Sequence, residues 1–151
     1  MTQPALQDTL IALADAIARE LNEATFSRPF LATRVYDYTR LLEETTRMKV
    51  DVVPERHEDD PLSRQAWQGE GIISIAVREK MKVENIAKVD ALTYFVGELR
   101  DFWTAPPRRL KYFPGAAPIK RKVVYPYLQI PLRGEGQFVS VLQLHFHLVS
   151  Q

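Results

Sequence analysis

Apolar and polar positions along the chain repeat with two different periods, and each period predicts its own kind of element. Over residues 5–24, Leu10, Leu13, Ile17 and Leu21 recur every three or four positions, which places them on one stripe of a helix. Residues 83–103 repeat the same period before two consecutive prolines end it. The sequence therefore predicts two amphipathic helices. The stripe of the second comprises Ile86, Val89, Leu92, Val96, Leu99 and Trp103.

Five further segments predict strands, because alternation or β-branched and aromatic residues dominate them. They span residues 32–42, 46–53, 71–80, 123–132 and 137–149. Residues 133–136 carry two glycines and predict a hairpin turn between the last two strands. The order α-β-β-β-α-β-β predicts an α+β fold with a mostly antiparallel or mixed β-sheet and two helices packed on one of its faces.

Length and composition set the limits of the molecule. The 151 residues fit a single domain over 1–151, in which residues 54–69 and 105–122 are predicted as long loops. The chain has no cysteine, so disulfides and cysteine-based metal sites are excluded. It has no recognisable secretory signal and no apolar run approaching the roughly 18 residues that span a bilayer. We expect a soluble intracellular protein without a membrane partner.

Charge is distributed unevenly, although the formal net charge is only +1. Residues 102–134 contain no acid and seven basic side chains, whereas much of the acid lies in residues 55–60. Opposite charges on one molecule predict a head-to-tail contact, which closes into a ring when the rotation between copies allows it. The candidate interface residues are Glu55, Glu58, Asp59, Asp60, Trp67, Arg108, Arg109, Lys111, Lys120, Arg121 and Lys122.

Two of these features leave alternatives open. The basic segment is interleaved with aromatic residues such as Tyr112 and Tyr125, a composition that suits nucleic-acid backbones, an acidic protein partner or a solvated connector. A pI near 8.0 argues against a dedicated nucleic-acid binder, which usually has a pI above about 9. Trp67, in the predicted acidic loop, is either an interface anchor or a side chain folded onto the sheet edge.

Candidate chemistry is sparse. His145 and His147 fall on one face of the last strand and could bind a metal ion with a third ligand such as His57 or a carboxylate. Ordinary polar alternation opposite an apolar face explains the same pair. The chain has no phosphate loop, nucleophile elbow or dinucleotide fingerprint. We therefore predict no catalytic, cofactor-binding or metal-ligating residues, and a protein that is not an enzyme.

The succession of segments resembles the tail-terminator, tail-completion or neck proteins of long-tailed bacteriophages and prophages. The first helix runs into a segment ending at Phe30, and an aromatic-bearing strand follows it. The similarity extends from about Leu10 to Leu148. The segments that carry it are residues 21–30, 32–36, 41–44, 49–54, 73–80, 89–92 and 137–144.

The resemblance implies a structural role without catalytic residues. Such a protein forms a hexameric ring that caps the tail tube, ends tail elongation and presents a surface for head–tail joining. Its implied partners are further copies of itself, the tail tube protein and the head–tail connector protein, with nonspecific contact to DNA passing through the lumen. Its implied location is the virion tail or neck, after assembly in the host cytoplasm. A head-closure protein and a sequence-nonspecific nucleic-acid-binding module are the alternatives.

Overall fold

The fold of the chain was taken from a computed structural model, which describes residues 6–36, 47–61, 67–81, 84–103, 110–113, 118–125 and 136–149. Two helices, α1 (Leu6–Glu23) and α2 (Ile86–Phe102), are combined with five strands. The strands are β1 (Ala32–Arg34), β2 (Lys49–Pro61), β3 (Trp67–Lys80), β4 (Pro118–Tyr125) and β5 (Gln137–Val149). The predicted α+β class and element order are confirmed.

The strands form one mixed sheet in the order β1-β2-β3-β5-β4. Only β1 and β2 are parallel; the remaining neighbours are antiparallel. The β2–β3 register runs from Lys49 opposite Arg78 to Pro61 opposite Trp67, with a β-bulge between Pro54 and Arg56. A single bulge adds one residue to β2 and bends it. Beyond the bulge, β2 remains paired with β3, and β3 remains paired with β5 as far as Gln68.

The main core lies between the helices and one face of the sheet. Four α1 residues predicted as its stripe, Leu10, Leu13, Ile17 and Leu21, are buried. Strand β5 alternates as predicted, and the sheet residues that meet the helices are apolar. Those buried in this cluster are Val50, Val52, Ile73, Ile75, Val77, Phe138, Leu142, Leu144, Phe146 and Leu148.

An aromatic cluster joins α2 to the segment that follows α1. Phe26 lies 5.4 Å from Phe30 and 5.3 Å from Phe102 between ring centroids, and Phe30 lies 5.4 Å from Phe95. Trp103, predicted as core, is buried. Ile86 is 69% exposed, so its place in the apolar stripe is a wrong prediction. It is the first residue of α2, beyond the helix length that packs against the core.

We call the face of the sheet opposite the helix-covered core the second face. It is also buried along the half that includes Asp51, Ser74 and Arg78. The Nη2 atom of Arg78 lies 3.6 Å from Oδ2 of Asp51, and both side chains are almost fully enclosed. A buried pair of charges is sensitive to the loss of either partner, because the remaining charge then lacks compensation. Both faces of this half of the sheet are therefore buried.

The predicted loop over residues 54–69 is wrong at residues 54–61 and 67–69, the parts of it that the structure describes. Residues 54–61 continue β2, and residues 67–69 begin β3, so Glu55, Glu58, Asp59, Asp60 and Trp67 all lie in strands. Backbone pairing with β3 carries this part of β2, although no apolar alternation marks it. The predicted loop over residues 105–122 is wrong in its last part, because β4 begins at Pro118. Arg108 and Arg109 lie outside the described residues.

Gly71 and Gly97 provide a matched pair of alanine substitutions. A Cβ at Gly71 would lie 2.9 Å from Cδ1 of both Leu10 and Leu148, whereas a Cβ at Gly97 would meet no atom within 4 Å. We expect Gly71→Ala to lower the free energy of unfolding by about 1 kcal/mol, because the leucine methyl groups must shift. Gly97→Ala should raise it by about 0.5–1 kcal/mol, since alanine favours the helix interior. Urea unfolding of both variants measures this; equal effects of the same sign would contradict the packing at Gly71.

Candidate functional site

Six of the charged residues predicted as an interface lie in the strands at two opposite edges of the sheet: Glu58, Asp59 and Asp60 in β2, and Lys120, Arg121 and Lys122 in β4. One edge belongs to β2: β1 pairs only with residues 50–52, and the amide of Val35 adds one hydrogen bond of 2.9 Å to the carbonyl of Val52. Within the described part of the chain, no strand pairs with the outer side of β2 beyond that point. We call residues 54–61 the acidic edge. Its four acids and single arginine give it a charge of −3.

Strand β4 forms the opposite edge of the sheet. Within the described residues it pairs with β5 alone, from Pro118 opposite Phe146 to Tyr125 opposite Val141. Between its two register shifts, β4 carries Lys120, Arg121 and Lys122 in succession. We call residues 118–125 the basic edge, and its charge is +3. An edge strand exposes unpaired backbone donors and acceptors, and charges on it select which other strand can pair there.

Glu55 differs from the other acids because its carboxylate is used within the chain. It accepts a hydrogen bond from the hydroxyl of Ser74 and another, of 3.2 Å, from Nε2 of Gln143. These partners stand on β3 and β5, so the side chain crosses the second face at the bulge of β2. Glu55 therefore fixes the bulge, and the acids at positions 58–60 are the ones that remain as interface candidates on the acidic edge.

The basic segment predicted over residues 105–122 divides into parts with different roles. Residues 110–113 pack on α1: Leu110 is fully buried, and the amide of Lys111 donates to Oε2 of Glu20 at 3.0 Å. The Nζ atom of Lys111 lies 3.9 Å from Oε2 of Glu23. The backbone of Lys111 is thus anchored to the helix while its side chain is 71% exposed, whereas Lys120, Arg121 and Lys122 belong to the basic edge.

Tyr112 completes this attachment to α1. Its hydroxyl donates to the carboxylate of Glu23, and the guanidinium of Arg19 lies 3.8 Å above its ring. The hydrogen bond from Tyr112 lowers the pKa of Glu23, and the charges of Lys111 and Arg19 lower it further. An aromatic residue that suited nucleic-acid stacking in the sequence is therefore occupied by a contact within the chain.

The histidines occupy different faces of the sheet. His145 and His147 share the second face, where Nδ1 of His145 lies 2.5 Å from Oε1 of Glu70. His57 stands opposite Gly71, in the row of the core residue Phe146, so the register places it on the other face. Among the described residues, no group of three or more His, Asp or Glu residues could hold a metal ion.

Sequence reasoning overlooked Glu70 and Gln143, which organise the second face near the bulge. Glu70 is directly opposite His147 on β5 and is hydrogen-bonded to His145, while Gln143 binds Glu55. Their alternation with apolar residues of β3 and β5 was visible in the sequence. Their partners were not, because the pairing depends on the register of three strands.

Comparison with known proteins adds no family assignment: no family model matches the chain, and no curated protein matches it significantly. A search of the described residues finds no helix long and apolar enough to cross a membrane.

The contact between Tyr112 and Glu23 can be tested by titration. We expect Tyr112→Phe to raise the pKa of Glu23 towards its ordinary value, because the main group that favours the carboxylate is removed. Lys111→Ala should raise the pKa of Glu23 by a smaller amount. In the native protein, the stability linked to this lowered pKa is present above the unfolded-state pKa and is lost as pH falls through the folded-state pKa. Carbon-detected NMR of the Glu23 carboxyl measures these shifts, and a larger effect of Lys111→Ala would contradict the assignment.

Proposed function

We propose that this chain is a structural assembly protein of long-tailed phages or prophages. It forms a ring that caps the tail tube, ends tail elongation and provides the surface for head–tail joining. The observation that carries the proposal is the separation of opposite charges onto the two edges of one sheet. A molecule with complementary edges associates head to tail, and a head-to-tail contact of suitable rotation produces a closed ring. The resemblance of the sequence to tail-terminator and neck proteins supplies the biological setting.

The partners follow from this role. Lateral contacts are made by further copies of the chain, proposed as a hexamer, and the two ends of the ring meet the tail tube protein and the head–tail connector protein. The protein resides in the virion tail or neck after assembly in the host cytoplasm. DNA passing through the ring would contact basic residues through its phosphates, without readout of its sequence.

Nonspecific nucleic-acid binding by the isolated domain is the competing function, and the basic edge is the feature in its favour. Successive residues of a strand alternate between the two faces, so Arg121 does not share a face with Lys120 and Lys122. Lys111 and Tyr112 are held by α1. The positive charge is therefore divided between the two faces of β4 and the surface of α1. A groove that binds single-stranded nucleic acid needs its positive charges on one surface, beside free aromatic rings. Salt-dependent binding of generic DNA by the monomer would favour this second function.

Charge reversal on the basic edge tests the head-to-tail contact. We expect Lys120→Glu with Lys122→Glu to weaken association by about tenfold or more at low ionic strength, because both edges are then acidic. The control is Lys80→Glu with Arg100→Glu, which makes the same change of net charge at exposed sites on the end of β3 and on α2. Sedimentation velocity measures both variants. A reversal variant that assembles as the native chain does would refute the contact.

The biological role is tested in particles assembled without this protein. Electron microscopy of such lysates should show abnormally long tails, because nothing caps the growing tube. Complementation with the native gene should restore the normal length. Tails of normal length beside unjoined heads would instead assign the head-closure role, and normal infectious particles would contradict both.

A further inference from the structure

The acidic edge and the basic edge match in length as well as in charge. Within the described residues, β1 occupies the outer side of β2 only at residues 50–52, and the acidic edge beyond it has eight residues. Strand β4 also has eight residues. We propose that β4 of one copy pairs with residues 54–61 of the next copy, so that one sheet continues from protomer to protomer. This inference rests on the proposed ring and specifies how its subunits join.

The direction of the pairing follows from the topology. Strand β5 is antiparallel to β3, which is antiparallel to β2, and β4 is antiparallel to β5. Within one sheet, β4 therefore runs opposite to β2. Copies related by rotation about an axis roughly along the strands keep this relation. The joint between β4 and the neighbouring β2 is consequently antiparallel, as are the β2–β3, β3–β5 and β5–β4 pairs.

The charges select one register. In an antiparallel joint, only one alignment places all three basic residues opposite acids: Lys120 with Asp60, Arg121 with Asp59 and Lys122 with Glu58. A shift of one residue retains two such pairs, and a shift of two retains one. Directly opposed unlike charges in a sheet stabilise pairing, and like charges oppose it. The same charges disfavour pairing of two acidic or two basic edges, so they favour the head-to-tail joint over two-fold dimers through either edge.

The faces of the sheet agree with this alignment. Lys120 and Lys122 are opposite His145 and Gln143, so they fall on the second face, and Arg121 is opposite Leu144 on the core face. On β2, Glu58 is opposite Glu70 on the second face, and Asp59 is opposite Gly69 on the core face. Residues paired across a joint must share a face, and a one-residue slip reverses every face. All three charge pairs satisfy this condition.

The register also avoids β1 and defines a shape for the ring. It places residues 119–125 of β4 against residues 55–61 of the acidic edge, beyond the segment of β2 that β1 occupies. Arg121 is level with Leu144 on β5, and Asp59 is level with Leu148, so neighbouring copies are staggered by four residues. Four residues correspond to about 14 Å along the strands, and the four strands β2, β3, β5 and β4 to about 19 Å across them. The strands then incline by about 35° to the ring axis, as in closed barrels.

Paired cysteines test the register, and the natural absence of cysteine makes the background clean. Opposed Cα atoms of an antiparallel pair lie about 4.5–5.5 Å apart, within the range of a disulfide. We expect oxidised Asp59→Cys/Arg121→Cys protein to give a reducible ladder of oligomers on denaturing gels. Asp59→Cys/Val123→Cys, two residues out of register, should not form the ladder. Each single variant should give no species larger than a dimer.

A charge exchange provides an independent readout that needs no new covalent bond. Lys120→Glu/Lys122→Glu should weaken association by about tenfold or more, because two attractive pairs become repulsive. Adding Glu58→Lys and Asp60→Lys to the same chain should restore it to within a few-fold of the native value. Restoration together with the ladder supports the inference. A native oligomer without ladder or restoration overturns this joint and leaves the proposed ring intact, whereas a chain that is monomeric throughout overturns both.

Discussion

The antiparallel pairing of β2 with β3 is the constraint on which the rest of the molecule depends. It aligns residues from Lys49–Arg78 at one end to Pro61–Trp67 at the other, and β3 then aligns β5 along nearly its whole length. Among the side chains that the structure describes, the apolar core extends along this ladder as far as Leu10 and Leu148, which lie beside Gly71. Beyond these residues, the hairpin persists through backbone hydrogen bonds and places its charges at an edge of the sheet.

The two halves of the sheet therefore have different physical roles. In the half that includes Asp51 and Arg78, both faces are buried and the helices fix one of them, so a change there acts on stability. In the other half, the carboxylate of Glu55 is hydrogen-bonded to Ser74 and Gln143, which ties the bulge of β2 to β3 and β5. Under the proposed strand pairing, rigidity at the bulge would favour association, because a pre-ordered edge loses less conformational entropy when a partner strand pairs with it.

How much of this could be predicted depended on the amount of core contact in each element. The alternation of β5 gave its bounds, Gln137–Val149, because one face of that strand is buried along its length. The acidic part of β2 was predicted as a loop, because residues 56–60 include no apolar residue and strand formation there depends on the partner strand. Ile86 fitted the stripe of α2 by spacing alone, and spacing does not state where a helix leaves the core.

For the candidate site as well, composition could be read from the sequence, whereas the position of each segment in the sheet could not. The sequence located the acidic and basic residues, and from their charges came the expectation of a head-to-tail contact. That the two groups are edge strands could not be derived from charge, since it requires β3 and β5 to lie between them. The order of strands converts two charged segments into two complementary edges with opposite strand directions. A sheet with such edges is protected from pairing with an identical edge and remains open to the unlike one, so the same charges limit nonspecific aggregation and permit directed assembly.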